Sequence, residues 1–273
     1  MATGAKAPSL TIDDAFEVLD KLGASRLENL ILVGGQAAAF WIAKYEIADP
    51  RRVTTKGIDV FLSDRRPGVA VECAKDLPGE LLIVKEPRVP DVARVRFSVG
   101  GVELQIDFLR SLHGISASDL MSSKLGIVDE RASGKILYVM HPVLALASRL
   151  FNTSEVPGRL TEENLSRLRF SVEAARAYLT DQVSVGSAMR QDVLPSIERI
   201  CGLAIHRTGL TAWLDYAIDL LRGIPESSDL TGCPPGFLEK RYRQMLSAVE
   251  RKRSAASQQR TTIRKSPRTR KMK

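Results

Sequence analysis

The chain has 273 residues, 40 Lys and Arg against 32 Asp and Glu, and a formal charge of +8. That length suits one large domain or two ordinary ones, and a hydrophobic share of 44% supplies a real core, so the chain as a whole is not disordered. The charge is uneven: residues 251–273 hold ten Lys and Arg and no acid, leaving 30 basic against 32 acidic residues before them, which excludes a fold with positive charge built throughout.

Residues 11–22 read as an amphipathic helix. Thr11 suits its N-cap, Asp13 and Asp14 its positive end, and Gly23 its stop, with Ala15, Val18, Leu19 and Leu22 on one face. Leu30 to Val33 is a short apolar strand, broken by Gly34-Gly35, and Gln36 to Tyr45 is helical again. Ile58 to Leu62 reads as a buried strand and the stretch around Val69–Leu77 as a helix. Glu80 to Val84 and Ala93 to Val99 are strand-like, and Gly100-Gly101 turns the chain into Val102 to Leu109. In that last strand Val102, Leu104, Ile106 and Phe108 alternate with Glu103, Gln105 and Asp107.

The second half changes character. A strand at Ile136–Met140 precedes Pro142, which suits the first turn of a helix reaching about Phe151. Helical periodicity returns at 161–180, 187–205, 210–222 and 236–250. From Arg251 onward apolar residues nearly vanish, and that composition predicts disorder. The expected organisation is an α/β domain over 1–118, a helical domain over 119–250 and a disordered basic tail over 251–273.

Cys73, Cys201 and Cys233 are far apart and have no CxxC spacing, which argues against a disulfide scaffold or a structural zinc site and fits a reducing cytoplasm. Leu30 to Ala43, the longest uncharged apolar-rich run, is too short for a membrane span, and no apolar block follows Lys6. No membrane partner is expected, and the expected location is cytoplasmic. His113, His141 and His206 have no ligand spacing. His141 reads as a helix start, and Trp41 and Trp213 read as core.

Three pieces carry the chemistry. Leu32-Val33-Gly34-Gly35-Gln36 is a strand ending in two glycines and opening a helix, where backbone N–H groups can approach an anion. Thr54-Thr55-Lys56-Gly57-Ile58-Asp59-Val60-Phe61 is a strand with a polar lead-in, and Leu104-Gln105-Ile106-Asp107-Phe108 is a later strand with one carboxylate between apolar neighbours. Asp59 and Asp107 in apolar strands each need a cation, a donor or a cleft. A metal between neighbouring strands would meet that need, and Mg²⁺ takes carboxylates together with substrate phosphates. Each aspartate also has a plain structural reading, as a loop cap or a solvent-facing residue. Lys56 could neutralise phosphate or be an exposed loop charge.

In the order and spacing of Gly34-Gly35, Asp59 and Asp107 the chain resembles the nucleotidyltransferase superfamily, the polymerase-beta-like fold. Within it the chain is similar to bacterial toxins of the abortive-infection type. The stretch Val139 to Leu150 also resembles the start of that group's helical domain. The resemblance spans roughly residues 10–180. It implies an α+β fold, a mixed sheet with flanking helices followed by an α-helical domain. It also implies transfer of NMP from an NTP to a hydroxyl, RNA being one acceptor class, and a role in phage defence or beside an antitoxin protein. Asp59 and Asp107 would then be catalytic and hold Mg²⁺, while Gly34, Gly35, Gln36 and Lys56 would bind the nucleotide.

Three departures from the family pattern stand out. Glycine, Gly57, occupies the first acidic position of the family's Asp-x-Asp pair; Gln36 replaces a small hydroxyl residue; and Ser148 lies near a position that is often basic. Loss of a charged ligand to a catalytic metal costs on the order of 100-fold in rate or more. The alternative is therefore a degenerate member that binds nucleotide, nucleic acid or a protein without turnover. The basic tail adds non-specific attraction for RNA, although it has no aromatic residue for stacking on bases.

Overall fold

The structure, a computed structural model, describes residues 10–21, 27–48, 55, 57–64, 66–75, 77, 79–86, 88–99, 102–129, 135–185, 192–227, 229–230, 233–234 and 236–265. They fall into two compact units, Met1–Ala174 and Ala175–Lys273.

The first unit opens with α1 (Ile12–Asp20). Its start is a capping box: the Asp14 N–H donates to Thr11 Oγ1 at 3.2 Å and the Thr11 N–H donates to Asp14 Oδ2 at 2.7 Å. Such a cap contributes about 1 kcal/mol, and Ala15, Phe16, Val18 and Leu19 are buried behind it. β1 (Leu30–Val33) is buried at every position, and α2 (Gly34–Lys44) follows with no intervening loop. Next come β2 (Ile58–Leu62), α3 (Pro67–Ala74), β3 (Glu80–Ile83) and the hairpin of β4 (Asp91–Val99) and β5 (Val102–Leu109). Then follow α4 (Ala117–Ser122), β6 (Leu125–Asp129), β7 (Lys135–Val139), α5 (Pro142–Glu155) and α6 (Glu162–Val185), within which the two units divide.

The described strands form a seven-stranded mixed sheet in the order β3-β4-β5-β2-β1-β7-β6. β1 runs antiparallel to β2 and parallel to β7, and β2 runs parallel to β5. α2 packs on β1 and β2 and against α1 and α5, and α3 packs on β3 and β4. Trp41 on α2 is 1% exposed, and its indole N–H donates to the Met140 carbonyl at 2.8 Å, joining the helix to the end of β7. α5 starts as its sequence suggests, with Pro142 in the first turn and His141 Nδ1 accepting from the Val143 N–H at 3.1 Å.

The expected division at residue 118 cuts this sheet. β6 and β7 lie beyond it, yet β7 pairs with β1 near the centre. The strand read at Ile136–Met140 gives no sign in the sequence of which strand it pairs with, and a sheet is completed wherever a strand can add to it.

The second unit holds α7 (Leu194–Ile205), α8 (Arg207–Tyr216), a 3₁₀ turn at Leu220–Gly223, a π-helical turn at Phe237–Tyr242 and α9 (Arg243–Lys265). α7 packs against α8 and α9 through Ile197, Ile200 and Cys201 among its buried residues. The helix expected over 210–222 is interrupted at Ala217, whose left-handed φ of 53° ends α8. Among the described residues no helix is long and apolar enough to cross a membrane.

The tail departs most from expectation. α9 continues through the predicted disordered segment to Lys265, and residues 266–273 lie outside the described set. Two of the tail's cations are tied down. Arg253 Nη1 donates to Asp219 Oδ2 at 3.1 Å, and its guanidinium lies 4.8 Å from the centroid of the Trp213 ring. Arg260 pairs with Asp215 at 2.5 Å and donates to the Leu214 carbonyl at 2.8 Å. Composition predicts disorder by averaging over the tail, whereas these contacts depend on where each arginine falls on the helix. Trp213 is accordingly half-buried beside Arg253 rather than enclosed in the core. The Arg253 side chain is 14% exposed, so Arg253→Ala should destabilise the protein by about 2 kcal/mol in urea denaturation. Arg251→Ala, at an exposed position on the same helix, should stay within about 0.5 kcal/mol.

Candidate functional site

The sheet brings the predicted aspartates together. Parallel pairing of β2 and β5 sets Asp59 directly beside Asp107, and Asp59 also faces Val33, the last residue of β1. Gly34 and Gly35 follow at once. The two carboxylates and the glycine turn therefore meet at one end of three adjacent strands. They line a cavity of about 1870 Å³ within the first unit, large enough for a nucleotide, together with Gly57, Arg149, Arg159 and Arg167.

The glycines admit Asp59. Gly34 has φ +63°, and a Cβ there would lie 2.2 Å from Asp59 Oδ2. The Gly35 backbone N–H donates to the Asp59 carboxylate. A Cβ on Gly35 would in turn meet Thr55 Cγ2 at 2.6 Å. Asp59 thus fills the concavity that the sequence assigned to phosphate.

Gln36 corrects the sequence reading. It is fully buried beneath the turn and is not among the residues lining the cavity. Its Nε2 donates to Thr55 Oγ1 at 2.6 Å, and Thr55 Oγ1 donates to the Gly57 carbonyl at 2.7 Å. Its role is to brace the lead-in to β2, because its long side chain reaches across where a short hydroxyl could not. Lys56 lies outside the described residues. Gly57 is packed tightly, since a Cβ there would lie 2.9 Å from the Gln105 carbonyl oxygen.

The charges are arranged in pairs. Asp107 accepts from Arg94 Nε on Oδ1 at 2.5 Å and from Gln105 Nε2 on Oδ2 at 2.7 Å. Arg94 reaches Asp91 with Nη2 at 3.0 Å, and Arg110 donates to the Asp91 carbonyl at 2.9 Å. The hydrogen bond to Asp107 raises the pKa of Arg94 further above its ordinary value. Burial pushes Asp91 up, helped by the charge of Asp107 and opposed by Arg94 and Arg110.

Asp59 is pushed up to about 6. Burial is the main cause and Asp107 adds to it, while Arg149 and the Gly35 N–H pull the other way. Arg149 is pushed down to about 10, first by burial and then by repulsion from Arg167 and Arg159. Both side chains line the cavity and are half-buried. At the cavity mouth His113 Nε2 lies 2.9 Å from Glu155 Oε2, so that histidine belongs to a surface pair.

Sequence reading found the two aspartates and missed the arginines. Arg149 stands next to Ser148 on α5 and lines the cavity. A lone arginine in the apolar run Pro142 to Phe151 is the signal that could have found it. Arg94 follows from alternation on β4, but only once its register opposite Asp107 is known.

No protein-family model matches the sequence, and no curated relative does. A solved structure, described as an antigenic nucleotidyltransferase-like protein from Paracoccidioides brasiliensis, is similar over 83% of this chain and 100% of its own. The identity is 14% and the TM-score 0.45, so the residues of the cavity themselves carry the functional reading.

Proposed function

We propose that this protein is a nucleotidyltransferase-like protein that binds a nucleoside triphosphate in the cavity of its first unit and does not turn it over efficiently. The observation that supports the binding is the convergence of Asp59, Asp107 and Arg149 on one cavity beside the glycine turn. A catalytic site of this kind asks for three carboxylates around two cations, which clamp the attacking hydroxyl and the leaving pyrophosphate. The residues present do not fit two cations. Gly57 leaves two carboxylates in the pattern, and both oxygens of Asp107 already accept hydrogen bonds from protein donors. Among the described residues no group of three or more His, Cys, Asp or Glu side chains is placed to hold a metal ion.

The test uses labelled NTPs, Mg²⁺ and total RNA with the natural chain. The expected result is retention of labelled nucleotide with no label passed to RNA or to the protein. Transfer of label by the natural chain to RNA or to protein would end the no-turnover reading. The Gly57→Asp variant itself is expected to remain inactive, because its Cβ requires the Gln105 carbonyl to move. We place any attraction for RNA on exposed cations such as Arg251 and Lys252, since Arg253 and Arg260 are held by Asp219 and Asp215.

A further inference from the structure

We propose that the polyphosphate of the nucleoside triphosphate binds directly to the guanidinium groups of Arg149, Arg159 and Arg167, with no divalent cation between ligand and protein. This deepens the nucleotide-binding reading above and rests on it.

Three observations lead there. The glycine turn is already occupied, because Asp59 Oδ2 fills the space over Gly34 and the Gly35 N–H donates to the same carboxylate. A phosphate cannot take that place without displacing Asp59. The acids are already compensated as well. Asp107 and Asp91 share Arg94, Arg110 lies beside Asp91, and Arg149 acts on Asp59. Three carboxylates thus face three guanidiniums. A divalent cation in this cluster would be attracted by the acids and repelled by the arginines paired with them, whereas a metal site draws its affinity from uncompensated carboxylates.

The third observation concerns the arginines themselves. Arg149, Arg159 and Arg167 line the cavity together, and Arg149 is repelled by both of the others, while Glu163 is joined to Arg167 at 2.6 Å. A polyphosphate would relieve that repulsion. Its non-bridging oxygens match the planar fork of a guanidinium, and such bonds are about twice as strong as neutral ones. The Arg149 guanidinium lies beside the glycine turn, its Nη2 3.9 Å from the point a Cβ on Gly35 would occupy, and Arg159 and Arg167 extend the positive group along the cavity, so the phosphates are held by these arginines rather than by the N–H groups of the turn.

The experiment is titration calorimetry of the full chain with ATP and with inorganic triphosphate, each with Mg²⁺ and with EDTA. Both ligands are expected to bind, and removing Mg²⁺ should change Kd by less than about threefold. Arg159→Gln, at an exposed position, should weaken both ligands by about tenfold in both buffers. Asp59→Asn should bind both at least as tightly as the natural chain, because it removes a negative charge from the cavity. ATP binding that requires Mg²⁺ and is lost in Asp59→Asn would overturn the inference and leave the nucleotide reading standing. Absence of ATP binding in both buffers would overturn both. Paramagnetic resonance of Mn²⁺ alone gives an independent check. The natural chain should leave the free-ion signal intact, and a loss of signal abolished by Asp59→Asn would count against the inference.

Discussion

Asp59→Asn is expected to stabilise the folded protein by about 3 kcal/mol above about pH 7 and by almost nothing below about pH 4. The carboxyl of Asp59 is held at about 6 in the folded state against an ordinary value of 3.8. The folded protein therefore binds this proton more tightly than the unfolded chain does. Below the unfolded value both states are protonated and the group costs nothing. As pH rises from about 4 to about 6 the unfolded chain ionises first, and the folded state loses stability across that window. Above it the full penalty persists, because the charge sits in an enclosed position beside Asp107 with only partial relief from Arg149 and the Gly35 N–H. Asparagine has nearly the same shape and no charge to bury. Urea denaturation of both proteins across this range is the measurement. Parallel stability curves would mean that Asp59 is hydrated like a surface carboxylate.

Gly34→Ala should destabilise the protein by roughly 2–5 kcal/mol. Two costs add. The backbone at +63° is one that a residue with a Cβ adopts only with strain, and the new methyl would lie 2.2 Å from Asp59 Oδ2. Asp59 cannot simply turn aside, since its own Cβ is 3.2 Å from the same point and its carboxylate is held by the Gly35 N–H. The two costs can be separated with a double-mutant cycle. Asp59→Gly should recover the steric part of the Gly34→Ala loss and leave the backbone part. Simple additivity of the two changes would show that residue 34 and Asp59 do not touch.

Much of the first unit was legible in the sequence because its elements announce themselves locally. Thr11 and Asp14 cap a helix, Leu30 to Val33 is apolar at every position, and β5 alternates cleanly. The candidate site was legible for the same reason: an aspartate in an apolar strand is conspicuous wherever it occurs. What escaped depends on register and distance. Arg94 meets Asp107 only through the β4–β5 pairing, and Arg149 joins Asp59 across 90 positions of sequence. The tail escaped because Arg253 and Arg260 order it through partners more than 30 residues away, which composition cannot show.

The brace from Gln36 through Thr55 to Gly57 has a consequence for how this site can change over evolutionary time. Gly57 is held from below by Thr55 and capped from the side by the Gln105 carbonyl, while Gln105 also donates to Asp107 and Arg94 occupies that carboxylate's other oxygen. A third acid at position 57 would have to arrive together with a moved β5 backbone and a replaced Arg94. Each change alone lowers fitness for folding before it contributes to catalysis. A third carboxylate at this site thus requires several interlocked changes, and a single substitution at Gly57 does not supply it.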